Sequence, residues 1–207
     1  MDGTLLDSEK VWDVALADTA AWLGGELSPS ARRRMVGSSM GRSVAILHAD
    51  LDIDADPESS AAFLTHRTAD LFRTGLVWRP GARELLVALH AAGVPTALVT
   101  STRRHLTEIA LDTLGREFFA AVVCGDEVRR PKPDPDSYLR AAALIGADPA
   151  QCVAIEDSPI GIASAEAAGC VVVAVPNDVD IAAAPTRHVL TTLAGVSVAD
   201  LAALVRG

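Results

Sequence analysis

Four short stretches, far apart in the chain, carry residue types suited to phosphoryl chemistry. They are Asp2-Gly3-Thr4, Thr100-Ser101-Thr102, Lys132 within Arg130-Pro131-Lys132-Pro133, and Glu156-Asp157-Ser158. A magnesium ion takes carboxylate and carbonyl oxygens, which Asp157 and Asp2 can supply. A phosphoryl group in transfer spreads negative charge over its oxygens. Those oxygens need a fixed cation and hydrogen-bond donors, which Lys132, Thr100 and nearby backbone N–H groups can provide. Gly3, Thr4, Ser101 and Arg103 are further candidates for phosphate contacts. Glu156 beside Asp157 puts two acids together, which is costly unless a counter-charge such as a metal ion joins them. Asp2, Glu156 and Asp157 are therefore the candidate metal residues.

These stretches matter only if the fold brings them together. From Val94 onward, short apolar segments alternate with helical ones. The strand candidates are 94–100 (VPTALVT), 120–124 (AAVVC), 153–156 (VAIE), 171–175 (VVVAV) and a short fifth at 189–190. Helices are expected over 103–114, over 134–144 with Asp134 as N-cap, after Ser158-Pro159 as far as Gly169, and over 198–205. Apolar strands separated by helices signal a parallel sheet covered on both faces. Ligands then bind beyond the carboxyl ends of the strands, where the polar stretches fall. Residues 8–76 differ: helices are expected over 8–23, 30–36, 42–51 and 57–73, and no strand pattern appears. Trp78-Arg79-Pro80-Gly81 reads as the return linker, before a helix over 82–92.

The chain has 207 residues, half of them hydrophobic, and a net charge of -9. It is long enough for one sizeable core carrying a smaller insert. The acidic balance argues against a nucleic-acid or anionic-membrane binder, because both need a basic face. No apolar run reaches the length of a membrane span. Cys124, Cys152 and Cys170 are odd in number and widely spaced, which suits free thiols in a reducing cytoplasm. The five histidines, at positions 48, 66, 90, 105 and 188, show no ligand spacing.

Taken in order, the stretches resemble the motifs of the haloacid dehalogenase (HAD) superfamily. Asp2-Gly3-Thr4 is similar to the end of its Asp-x-Asp-Gly-Thr motif. Thr100 is similar to the second motif, Lys132 in Lys-Pro-x-Pro-Asp to the third, and Glu156-Asp157 to the fourth. The helical block resembles the cap of the subfamily that includes β-phosphoglucomutase-like enzymes and sugar-phosphate phosphatases. The resemblance implies an α/β fold, with a HAD-type Rossmann-like parallel sheet core over 1–9 and 77–207 and an inserted all-helical cap domain over 10–76.

It further implies a cytoplasmic, magnesium-dependent phosphatase acting on a small phosphorylated metabolite, read as a sugar phosphate. Asp2 would be the general acid and base. Thr100 and Lys132 would hold the phosphate. Asp157 and the Asp2 carbonyl would bind the metal, with Glu156 as a ligand or just behind one. The family's nucleophilic Asp stands two residues before Asp2, one residue before Met1, at the end of a central apolar strand. The expectation is a native chain that extends upstream, with Met1 filling the x of the motif. Removing that strand would expose backbone groups on its neighbours and leave the chain poorly stable. The alternatives are a β-phosphoglucomutase-like phosphomutase using the same residues, and a catalytically dead binding module. Trp12 and Trp22 are expected to pack at helical spacing. Ser38, Ser39 and Arg42, in a Gly-rich break, lie where the block could reach the site.

Overall fold

A computed structural model describes residues 1–177 and 179–205. Nine α-helices and five strands are assigned among them. The strands are β1 (Ala97–Val99), β2 (Ala121–Val123), β3 (Val153–Glu156), β4 (Val171–Ala174) and β5 (Arg187–Val189). Every strand pairing is parallel, with β1 on β2 and β3-β4-β5 in that order. The core is therefore α/β with a parallel arrangement, as the apolar runs predict. It is divided, however, into two sheets rather than one.

Between β1 and β3 lies an apolar cavity of about 690 Å³. Ala97, Val99, Val153 and Ile155 border it from the strands, and Leu85, Tyr138 and Leu201 from the helices. Met1 and Leu5 also reach its wall.

Helices α1 (Glu9–Trp22), α2 (Pro29–Met35), α3 (Met40–Leu51) and α4 (Pro57–Arg73) form the expected helical block. Their apolar faces close around Leu16, Met35, Val44, Leu47 and Leu64. Three of the four starts are capped by side chains. Ser28 accepts from the Ala31 N–H, Ser39 from Arg42, and Asp56 from Glu58 and Ser59. α4 is shared between two cores. Its Leu64 faces the block, whereas Ala69 and Phe72 pack with Leu98, Leu106 and Leu114 beneath the sheet.

The remaining helices are α5 (Ala82–Ala91), α6 (Arg104–Leu114), α7 (Asp136–Leu144), α8 (Pro159–Ala167) and α9 (Val198–Val205). Asp134 serves as the expected cap: its Oδ1 accepts from the Asp136 N–H at 3.2 Å, with Pro135 between them already helical and α7 assigned from Asp136. One sequence expectation needs correction. β1 starts at Ala97 because Val94 and Pro95 lie in an exposed connection, and proline has no N–H for a ladder. Among the described residues, no helix is long and apolar enough to cross a membrane.

Candidate active site

The carboxyl ends of β1 and β3, Met1-Asp2, Lys132 and the helical block enclose one cavity. The strands position their residues by ending. Thr100 follows β1 directly, and its N–H still bonds to Val123 O of β2 at 3.0 Å. Glu156 is the last residue of β3, and Asp157-Ser158 turn the chain into α8. Ser158 accepts from the Gly161 N–H at 3.1 Å, so the cap-then-proline signature does open this helix.

Asp2 is the most heavily bonded acid of the cavity. Its Oδ1 accepts from Ser8 Oγ at 2.7 Å and from the Trp12 indole Nε1 at 3.0 Å. Its Oδ2 accepts from Thr102 Oγ1 at 2.9 Å, with Thr100 Oγ1 at 3.5 Å. Two donors thus come from the start of the helical block and two from the loop after β1. Trp12 packs as expected, and in addition its indole N–H serves Asp2. Trp22 lies away from the cavity, stacked on Phe63 at 4.7 Å.

Asp157 is 5 % exposed and accepts from Thr4 Oγ1 at 2.6 Å. Burial and the neighbouring Glu156 carboxylate push its carboxyl up to about 7. Gly3 has φ +67° and sits so close that a Cβ there would stand 2.1 Å from Asp157 Oδ2. The loop can lean on this acid only because the residue is glycine. Neither Gly3 nor Thr4 lines the cavity, and Thr4 has given its hydroxyl to Asp157. Thr4 thus supports Asp157, and Gly3 is the bend that lets the loop approach.

Lys132 is buried. Its Nζ stands 2.5 Å from Glu156 Oε1, and Tyr138 donates its hydroxyl to the same oxygen at 2.5 Å. Ser158 Oγ lies 3.3 Å from Glu156 Oε2. Burial alone would push the Glu156 carboxyl up, but Lys132, the Met1 ammonium and Tyr138 together outweigh it and lower the group from its ordinary value. Burial and Glu156 together push the Tyr138 phenol well above its ordinary value, so it stays a donor. In this arrangement both Glu156 oxygens are spent on holding Lys132 and the start of α8. The cue for Tyr138 was its place six residues after Lys132, half-hidden in an alanine-rich helix.

Ser101 and Arg103 line the same cavity. Ser101 Oγ donates to Gly37 O at 3.1 Å, tying the β1 loop to the helical block. Gly37 has φ +70°, and a Cβ there would meet Ser158 Oγ at 2.5 Å. The Gly-rich break of the sequence therefore docks between Ser101 and Ser158. Ser38 and Ser43 line the cavity and share a 2.7 Å hydrogen bond. Ser39 caps α3, and Arg42 is exposed and outside the lining.

The block adds Glu9 and Arg32, which the sequence reading passed over. Both are largely buried and pair at 2.5 Å, while Arg32 Nε also reaches Asp13 at 2.5 Å. Burial alone would lower the Arg32 value, but Glu9 and Asp13 raise it. Leu16, Met35, Met40 and Leu64 complete an apolar wall opposite Lys132.

The lining holds four carboxylates, Asp2, Glu9, Glu156 and Asp157, against Lys132, Arg32 and the exposed Arg103. Among the described residues no group of three His, Cys, Asp or Glu could hold a metal ion. The donor set nevertheless fits a hard divalent cation. Its carboxylates offer hard oxygens, and Asp157 among them is buried beside a second carboxylate that pushes its carboxyl up.

Comparison with known proteins identifies the family. A family model described as haloacid dehalogenase-like hydrolase matches residues 1–169. Hexitol phosphatase A of Escherichia coli (strain K12) is 34 % identical over 187 residues, covering 84 % of this chain and 80 % of that protein. Protein CbbY of Rhodobacter capsulatus is 33 % identical over 189 residues, covering 86 % and 83 %. The crystal structure of CbbY from Rhodobacter sphaeroides in complex with phosphate superposes with a TM-score of 0.84 at 26 % identity, covering 97 % of this chain and 96 % of that one.

Proposed function

The chain belongs to the haloacid dehalogenase-like hydrolases, and from that premise we propose that it is a magnesium-dependent phosphatase of a small phosphorylated sugar or polyol. One observation carries the reading: Asp2, Thr100, Ser101, Lys132 and Asp157, drawn from four distant stretches, face one cavity. The names of the relatives support the substrate class, since one is a hexitol phosphatase. Three free cysteines support a cytoplasmic setting.

In this reading Lys132 supplies the fixed positive charge for the phosphoryl oxygens, and Glu156 with Tyr138 holds that ammonium in place. Thr100 and Ser101 donate to the same oxygens. Asp2 passes a proton to the leaving alcohol oxygen as its bond to phosphorus breaks, and later takes one from the attacking water. Asp157 and the Asp2 carbonyl would hold Mg²⁺, which supplies charge neutralisation at the phosphoryl group. The nucleophile is an aspartate two positions before Asp2, at the end of a strand entering the cavity between β1 and β3. The apolar lining of that cavity supports this placement, because two parallel strand edges flank it. The block over 10–76 acts as the cap that closes on the alcohol half of the substrate. Glu9, Ser38 and Ser43 offer that half hydroxyl-binding partners.

The test is release of inorganic phosphate by the full-length chain from a panel of hexitol and sugar monophosphates, with Mg²⁺ and with chelator. Metal-dependent release supports the reading. Interconversion of sugar phosphates without net release, or binding without turnover, overturns it.

A further inference from the structure

The Trp12 indole is placed to do more than fill space. It lies in the first turns of α1, packs edge-on against Phe72 with ring centroids 6.2 Å apart, and touches both the block core and the core beneath the sheet. Its one polar atom points at Asp2 Oδ1 from 3.0 Å.

The four donors on Asp2 are not equivalent. Ser8, Thr100 and Thr102 offer hydroxyls, which can rotate and accept as well as donate. The indole N–H can only donate, and it does not titrate. An Oδ1 facing that N–H cannot direct a proton of its own toward it. Of the groups on Asp2 only the indole is a fixed donor, carried on a packed ring of α1. We propose that Trp12 is a positioning residue, whose indole N–H on Oδ1 fixes the orientation of the Asp2 carboxyl, so that the acid is set only when α1 is seated. This rests on the reading of Asp2 as the proton donor to the leaving alcohol.

Trp12→Phe keeps a ring for the Phe72 contact and removes the N–H. The comparison uses two esters in the full-length chain. A sugar-alcohol phosphate needs a proton on its leaving oxygen, whereas p-nitrophenyl phosphate leaves as a stable phenolate and needs little help. The expected result is a kcat for the sugar-alcohol ester about 10-fold lower relative to p-nitrophenyl phosphate, the effect of one hydrogen bond to a charged group. Equal loss on both esters marks a packing role and overturns the proposal. If the unmodified chain hydrolyses neither ester, the phosphatase reading fails separately.

The geometry is then judged without turnover. In ¹H–¹⁵N spectra the Trp12 indole signal, identified by its loss in Trp12→Phe, should shift in Asp2→Ala while those of Trp22 and Trp78 stay. An unmoved Trp12 signal overturns the proposal.

Discussion

The cavity has two walls, built in different ways. On the strand-end wall each charged group is fixed by close, buried partners. Lys132 meets Glu156 at 2.5 Å, Asp157 meets Thr4 at 2.6 Å, and Asp2 has three donors within 3.0 Å. On the helical wall Leu16, Met35, Met40 and Leu64 form an apolar surface beside the Glu9–Arg32 ion pair and the Ser38–Ser43 hydrogen bond. The first wall is preorganised, so its groups spend nothing on reorientation during reaction. The second is soft, because methionine adapts its shape readily. The contrast assigns chemistry to one wall and the choice of substrate to the other.

The sharpest way to break that division is Asp2→Asn. The account expects kcat to fall by roughly 10²–10⁴-fold, the usual scale of general acid–base catalysis. A fall no larger than that of a helical-wall variant would remove the distinction. Next comes Lys132→Ala, which leaves Glu156 buried without its cation. Denaturant unfolding should show a loss of about 3–5 kcal/mol. The double variant Lys132→Met/Glu156→Gln should recover most of that stability and none of the activity, separating the fold's need for the pair from the reaction's need for the charge.

Asp157 gives a pH-dependent effect of intermediate size. Its carboxyl stands at about 7 in the fold against an ordinary 3.8. A raised carboxyl binds more protons folded than unfolded between those values, so the stability it contributes is present below about 4 and is lost as the pH rises toward 7. In chelator, the melting temperature of the unmodified chain relative to Asp157→Asn should decline across that window, and Mg²⁺ should offset the decline at pH 7 and above. A difference that is flat with pH, or indifferent to Mg²⁺, contradicts the role given to this acid. The smallest effect belongs to Met40→Leu. It conserves volume and should cost less than about 1.5 kcal/mol, altering KM among sugar phosphates while leaving p-nitrophenyl phosphate turnover unchanged.

The same contrast explains what the sequence made legible. The strand-end wall could be read because its residues follow apolar runs such as VAIE and VVVAV, whose ends mark the ligand edge of a parallel sheet. The start of α4 was legible because Asp56-Pro57 is a cap followed by proline, and the start of α8 because Ser158-Pro159 is another. The helical wall was not, since helical spacing shows which side of α1 is buried but not what its polar atoms reach. Trp12 therefore read as packing, and the Glu9–Arg32 pair, joined across 23 positions, left no local signal.

The central claim is that this cavity holds a phosphoryl group against Lys132 with a cation on Asp157. A crystal structure of the full-length chain grown with Mg²⁺ and inorganic phosphate tests it most directly. The account predicts phosphate oxygens on Thr100, Ser101 and Lys132 Nζ, and the cation on Asp157. Phosphate seated elsewhere on the molecule, with this cavity empty and Lys132 engaged only with Glu156, would contradict it.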